Sequence, residues 1–378
     1  MGKMIRPLAH YLARIVDPRH AKGLRHPLAA ILCLCCVALM SGAMNPLAIA
    51  HWWRNRLDLG PFLQRLGFTK GYGPSKSTLY RVLALIPVEV LEAILQQWAE
   101  ENLADIPLAA GEMEAVALDG KVLRGSEQQG AGGTYLLSAF SQRLGLTLRQ
   151  LGVQPQSNEI GAASPLLAAL FIEGRIWTMD ALLTQRQIAQ TIVDRGGDYL
   201  MIVKENQATL HDDLETLFAD PLADRFFVTE CTQKVEKEHG RLGIRTLRSS
   251  TALNDYLDWP GLQQVFHLDR QTTYLKSGSR RAETVYGLTS LSPEQADAAQ
   301  LLQLQRGQWQ IENRSHYVRD VTFGEDKSQV RKGYLPQVMA ALRNTVIGLL
   351  RLLHFPFIPE AFDFFAVHPD KALAAIGS

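Results

Sequence analysis

Two aspartates stand directly after short apolar runs that read as β-strands: Asp119 after Val116-Ala-Leu, and Asp180 after Ile176-Trp-Thr-Met. In open α/β sheets ligands gather outside the carboxyl ends of strands, so carboxylates there are placed to hold a metal. Gly120 follows Asp119, and the pair reads as a sharp turn that leaves the carboxylate exposed. A third acid comes from the segment Gln308-Trp-Gln-Ile-Glu-Asn-Arg-Ser-His-Tyr-Val-Arg. Read as a helix, it puts Glu312, Ser315, His316 and Arg319 on one face, at i, i+3, i+4 and i+7. A carboxylate sharing a face with His and Arg suits a site that holds metal and phosphate together. Glu325 and Asp326 compete for the third place and read instead as a solvated, charged loop. Two aspartates and a glutamate fit a pair of Mg2+ ions, or Mn2+, about 4 Å apart, which activate an attacking oxygen and stabilise a leaving one at phosphorus. No Ser-His-Asp or Cys-His pattern and no GxxxxGK[ST] stretch points to covalent catalysis or to ATP.

Strands and helices must bring these acids into place. Residues 1–107 read as helical. Residues 28–40 are thirteen consecutive apolar residues, too few to cross a bilayer and far from the place of a signal peptide, so a buried helix is expected. Ser75 or Ser77 caps a helix bearing Leu79, Val82 and Leu83, and another helix spans 88–103 after Pro87. From Glu114 onward short strands are expected at 115–118, 135–140 and 146–153, the first two joined by the Gly-rich turn Gly130-Ala-Gly-Gly. Ser164 and Pro165 open a helix reaching Phe171, followed by a strand at 176–179, a helix at 185–194 and a strand at 199–203. That order predicts a mixed α/β sheet. The stretch over about 220–292 reads as richer in β-structure. Pro293 opens helical sequence through Arg319, and an amphipathic helix at 337–353 closes the body, residues 108–378.

Charge divides the chain in a way the overall value of +1 conceals. Residues 1–84 hold twelve Lys or Arg against Asp17 and Asp58, and the remainder is net negative. A basic front end joined to an acidic body predicts a polyanion-binding module beside a module that gathers carboxylates. Its short helices read either as a helix-turn-helix reader, with Lys76 and Arg81 towards DNA, or as a bundle supporting the next domain. Cys33, Cys35 and Cys36 crowd into one apolar stretch without the separations of a zinc site, so reduced, buried thiols of a cytoplasmic protein are expected. Neither a membrane segment nor an export signal is read.

Several longer motifs are similar to those of one family. They are Leu118-Asp-Gly-Lys-Val-Leu-Arg-Gly, Gln156-Ser-Asn-Glu-Ile, Met179-Asp-Ala-Leu-Leu-Thr-Gln, Gly197-Asp-Tyr-Leu-Met-Ile-Val-Lys-Glu-Asn-Gln, Trp309-Gln-Ile-Glu-Asn and His316-Tyr-Val-Arg-Asp-Val-Thr-Phe-Gly-Glu-Asp. With Asp17-Pro-Arg and Arg25-His-Pro-Leu-Ala-Ala near the start, the chain resembles the H-repeat-associated transposases, insertion-sequence enzymes of the DDE superfamily with a ribonuclease-H-like catalytic fold. The resemblance implies a catalytic, metal-binding triad of Asp119, Asp180 and Glu312. It also implies an N-terminal module recognising terminal inverted repeats, and a dimer or larger assembly acting on double-stranded DNA ends and target DNA.

Related transposases carry Tyr-x2-Arg-x3-Glu-x6-Lys; here Gln308 holds the Arg place and Arg319 the Lys place, so Arg319 or Arg306 is expected to supply the basic contact. The family's His-Gly-Arg-x-Glu reads His239-Gly-Arg-Leu-Gly, with Gly243 where the acid is expected. Lys121, Arg124, Lys204 and Asn206 are further DNA-contact candidates, and Asn158 and Glu159 are candidates for contact with DNA or support of the metal site. Trp309 reads as core, and His316 either as a structural residue or as a phosphate contact. Two other readings fit these residues: a metal-dependent nuclease that cuts without joining, and an inactive remnant that binds DNA only.

Overall fold

The computed structural model describes residues 5–21, 24–56, 58–110, 112–127, 133–153, 159–220, 222–238 and 240–378. The turn residues 130–132, Asn158 and His239 lie outside them. Six helices come first: α1 (Leu8–Leu12), α2 (Leu28–Met40), α3 (Pro46–Arg54), α4 (Leu59–Arg65), α5 (Lys76–Leu83) and α6 (Val88–Ala104). Strands β1 (Ala115–Leu123), β2 (Thr134–Ser141) and β3 (Thr147–Val153) follow, then α7 (Glu159–Ala168), β4 (Ile176–Met179), α8 (Arg186–Asp194) and β5 (Asp198–Val203). After α9 (Ala208–Ala219) and α10 (Ala223–Phe226) come β6 (Glu230–Glu238), β7 (Arg241–Ser250), β8 (Gln264–Tyr274) and β9 (Arg280–Thr289). The chain ends with α11 (Ala298–Gln308), α12 (Leu335–Leu352), α13 (Ile358–Val367) and α14 (Pro369–Ile376).

By internal packing the chain forms two units. The first comprises residues 1–112, 120–154 and 311–378. Its apolar run became α2, buried at every position but Ala29. A helix apolar all round must be covered all round, and α1, α3, α12, α13 and α14 pack around α2. The N-terminal helices therefore share one core with the C-terminal ones. The sequence reading ended the body at one closing helix. Two more follow it, and Ile358, Ala361, Phe365, Ala372, Leu373 and Ile376 are buried there. Burial pushes the Cys33 thiol up to about 11 and Cys35 up to about 12, so both remain protonated and inert near neutral pH. Local signals behaved as expected on α5, where Ser75 Oγ accepts from the Thr78 amide at 3.2 Å. Among the described residues no helix is long and apolar enough to cross a membrane.

The second unit comprises residues 113–119 and 155–310. Its strands run in the order β1-β4-β5-β9-β8-β7-β6; β1, β4 and β5 are parallel, and the rest are antiparallel to their neighbours. In the first unit β2 and β3 form an antiparallel ladder, in the order β3-β2-β1. This mixed sheet with interspersed helices is ribonuclease-H-like, preceded by an all-helical region. The β-rich stretch is part of the sheet itself, because β9 pairs with β5 from Leu200↔Thr289 to Val203↔Tyr286. α11 covers one face, burying Leu301 and Leu302 with Leu247, Phe266, Leu268 and Val285. Its start is fixed by a capping box: Asp297 Oδ1 accepts from the Gln300 amide at 2.7 Å, and Gln300 Oε1 accepts from the Asp297 amide at 2.9 Å.

Three expectations change. Gly120 is not a turn, since β1 continues through it to Leu123. A Cβ at Gly120 would lie 2.0 Å from the Tyr135 hydroxyl, so glycine is needed there for a close approach. α7 begins at Glu159 and carries Pro165 in its interior. Ala162, Ala163, Leu166 and Leu167 are buried on either side of the proline, and their packing outweighs the lost backbone bond. The third change concerns the helix after Gln310. It widens into π turns over Glu312–His316 and Val318–Thr322. An i→i+5 turn rotates less per residue, so the residue four places on stays beside Glu312 but the residue seven places on does not return to that face.

Arg319 is accordingly fully buried, away from any ligand. Its Nε donates to Glu325 at 2.8 Å, and Arg343 Nη1 reaches the other oxygen of Glu325 at 2.7 Å. Glu325 is thus no solvated loop residue, being only 3% exposed. Burial alone would raise its carboxyl, but the Arg319 and Arg343 guanidiniums outweigh it and hold Glu325 below the usual carboxylate range. Removing the carboxylate leaves two buried cations facing each other, a loss of about 3–5 kcal/mol. Glu325→Gln should lower stability by that order in urea unfolding at pH 7. The wild-type contribution should be complete above the unfolded carboxyl value of 4.5 and fade as pH falls through the lower folded value.

Candidate active site

The sheet register decides where the first two acids go. Leu118 pairs with Met179 in the parallel β1–β4 ladder, so Asp119, which lies inside β1 rather than at the strand end expected, and Asp180, just past the end of β4, stand at the same level. Beneath them Gln308 ties the strands together. Its Nε2 donates to the Leu118 carbonyl at 2.9 Å, and its Oε1 accepts from Thr178 Oγ1 at 2.5 Å. The place where a related motif carries Arg is therefore filled by a buried, neutral amide whose two ends fix β1 and β4. Sequence reasoning registered Gln308 only as a departure; an amide can donate and accept at once, and that was the available signal.

Asp180 takes up three hydrogen bonds. Oδ1 accepts from the Ala181 amide at 2.7 Å, capping the short turn Ala181–Leu183, and Lys204 Nζ donates to Oδ1 and Oδ2 at 3.1 and 3.3 Å. Asn206 Nδ2 donates to the Ala181 carbonyl at 2.9 Å, so this predicted DNA contact also props the turn that carries Asp180. Around Asp180 lies a cleft of about 620 Å³, lined also by Lys204, Asn206, His211, Glu283 and Tyr286. On α9, His211, Asp212 and Glu215 form an exposed group whose ligand atoms lie within 4.8 Å of one another.

Glu159 reports the charge at this end of the sheet. It is the first residue of α7, which packs against the Ala181–Leu183 turn, and its side chain is half-buried. Burial, then the charges of Asp119 and Asp180, push its carboxyl up to about 7. The carboxylates of Asp119, Asp180 and Glu159 offer hard oxygens of the kind that suit Mg2+ or Mn2+.

In the first unit Glu312 opens the widened helix. His316 Nδ1 donates to its Oε2 at 3.0 Å, and His316 is only 2% exposed, so the ring is held in place. The hydrogen bond to His316 lowers the Glu312 carboxyl; burial opposes this, and the His316 and Lys121 charges add to the lowering. Lys121, predicted to meet phosphate, is 8% exposed and donates to Asp320 at 2.5 Å. Arg124 is exposed on the turn Arg124–Ser126 and remains able to reach a ligand. Lys76 and Arg81 are exposed on α5. In the second unit Arg306 Nη1 donates to Glu236 at 2.9 Å, and Trp309, read as core, is 55% exposed. Arg319 is excluded as a DNA contact by its burial.

The raised Glu159 carboxyl sets a testable sign. Its proton is held more tightly in the folded state, so the contribution of Glu159 to stability is fully present below about pH 4.5 and is lost as pH rises through about 7. Glu159→Gln, compared with wild type by thermal unfolding in EDTA, should be the more stable protein at pH 8, with the difference shrinking towards pH 5. Equal midpoints at pH 8 would contradict the crowding described here.

Comparison with known proteins agrees along most of the chain. Residues 9–99 match a family model described as DDE_Tnp_1-associated, and residues 110–347 match one described as Transposase DDE domain. The YncI protein of Escherichia coli O157:H7 is 32% identical over 368 residues, covering 92% of this chain and 88% of that protein. The H repeat-associated YhhI protein of Escherichia coli K12 is 28% identical over 358 residues, covering 92% and 90%. Among solved structures, a piggyBac transposase synaptic complex with hairpin DNA gives a TM-score of 0.43 at 9% identity, over 97% of this chain and 78% of that one. From the matched domains and the identity along the whole chain, this protein belongs to the DDE-superfamily transposases of insertion sequences.

Proposed function

We propose that the protein cuts DNA at the ends of its insertion sequence and joins the freed 3′-hydroxyl to target DNA, using Asp119, Asp180 and Glu312 as the carboxylates of a two-Mg2+ site. The observation that carries this reading is the level placement of Asp119 and Asp180 on paired parallel strands, in a chain of this family. Bound divalent ions would supply charge neutralisation at the attacking and leaving oxygens of the scissile phosphate. The remaining work falls to the chain. Gln308 fixes the spacing of the two aspartate-bearing strands, and His316 keeps Glu312 ionised and aimed. Lys204 and Arg124 bring cations to neighbouring phosphates, and Lys76 and Arg81 on α5 contact the terminal repeats.

Two displacements follow at phosphorus. In the first, a water oxygen bonds to phosphorus at the element's end as the bond to the 3′-oxygen breaks, and that oxygen leaves as a hydroxyl. In the second, this hydroxyl bonds to a target phosphorus and displaces the target strand's 3′-oxygen. One phosphodiester replaces another, so no ATP is required. Both ends must be held together for joining, which favours a dimer or larger assembly on double-stranded DNA. We assign residues 1–107 to end binding and residues 108–378 to catalysis, with the β-structure over 220–292 belonging to the latter.

Asp119→Asn and Asp180→Asn should each lower both cleavage and joining of end-bearing oligonucleotides by about 10³-fold or more. Several kcal/mol of transition-state stabilisation is at stake, and each 1.36 kcal/mol is tenfold. Binding of the same DNA should be retained. Cleavage at wild-type rate by both variants would overturn the site. Cleavage without joined product in the wild type would reduce the protein to a nuclease.

A further inference from the structure

One face of the sheet changes character along its strands. Beside α11 it is apolar, with Leu247, Phe266, Leu268 and Val285 packed in the core. Two residues farther along the same alternation it is charged: Lys234 on β6, Arg245 on β7, Arg270 on β8 and Glu283 on β9 stand opposite one another in register. Neighbouring strands are about 4.8 Å apart, so this row spans about 14 Å.

Cations outnumber acids on it. Glu236, one step farther along β6, already receives Lys234 at 3.1 Å, Arg245 at 2.9 Å and Arg306 of α11 at 2.9 Å. Glu283 lies 3.8 Å from Arg270. Four cations thus share two carboxylates. Gly243, opposite Glu236, adds no further acid, and a Cβ there would meet the Arg245 guanidinium at 3.4 Å.

Each end of the row opens into a cavity. At β6 a groove of about 510 Å³ lies between α11 and the edge strand, lined by Gln233, Lys234, Gln303, Arg306 and Gln310 among others, with no carboxylate in its lining. At β9, Glu283 lines the cleft that holds Asp180. Arg270 also lies close enough to feel the Asp180 charge.

We propose that this row and groove form a backbone track for duplex DNA, on which Lys234, Arg245, Arg270 and Arg306 hold successive phosphates of the arm leading to the scissile bond. Regularly spaced cations with amides between them match a polyanion of repeating charge and carry no base specificity. The cores of protein–protein interfaces are depleted of Lys and Glu, so a row of this charge disfavours a second copy of the chain as its occupant. The inference rests on the reading of Asp119 and Asp180 as a DNA-cutting site, and extends it to residues that touch no metal.

The test is the salt dependence of binding by the full-length protein to a duplex containing one element end and its flank. Each lost phosphate contact lowers the slope of log affinity against log salt by about 0.9. Lys234→Ala should flatten the slope by about that amount, Lys234→Ala with Arg245→Ala by about twice it, and Lys234→Arg should restore it. Lys234 is 54% exposed, so the single variant does not endanger folding. Unchanged slopes in both variants would overturn the track. So would weakened self-association in sedimentation with unchanged slopes, which would mark a contact between copies. Should the wild type fail to cut while the slopes still flatten, the cutting reading fails and the track stands.

Discussion

Like charges held side by side are the constraint on which this structure depends. Parallel pairing of β1 and β4 brings Asp119 and Asp180 out at one level. The ladder, in which Val116, Ala117 and Leu118 are wholly buried, fixes the backbone of both residues at that level. Carboxylates placed close together draw cations towards them. The protein shows the pressure in two places: Lys204 folds onto Asp180, and Glu159 is pushed towards its neutral form.

Rigid support for that strain comes from neutral and buried groups more than from charged ones at the surface. Gln308 spans the two strands with one amide, and α11, which carries it, is locked by its capping box and by a core shared with six strands. The Glu325–Arg319–Arg343 group does comparable work in the first unit, joining the widened helix to α12. Here Arg319, expected from the sequence to contact a ligand, is instead held with Arg343 on a buried carboxylate. Arg124, Lys76 and Arg81, by contrast, are exposed.

Much of this was legible beforehand. The place of Asp180 after β4, the apolar α2, the Ser75 cap and the β-rich stretch all follow from local pattern, because burial and capping act over a few residues, whereas Asp119, read as a strand end, lies inside β1. What was not legible depends on geometry several turns or strands away. Arg319 was assigned to the Glu312 face by counting 3.6 residues per turn, and the π turns invalidate that count without any mark in the sequence. Gly120 read as a turn because Asp-Gly commonly is one, whereas the Tyr135 ring across the ladder is what demands it. Pro165 was read as a helix start, and only the buried stripe on both sides of it shows otherwise. The cation row could not be seen at all, since Lys234, Arg245, Arg270 and Arg306 meet only through strand register and the placement of α11.

Counting bound Mn2+ most directly tests the central claim that three dispersed carboxylates hold paired divalent ions. Electron paramagnetic resonance of free Mn2+, titrated against the full-length protein on its terminal DNA, gives both the number and the affinity. The account predicts two ions for the wild type, and a lost or greatly weakened ion when Asp119, Asp180 or Glu312 is replaced by its amide. Two ions bound with unchanged affinity in all three variants would contradict it.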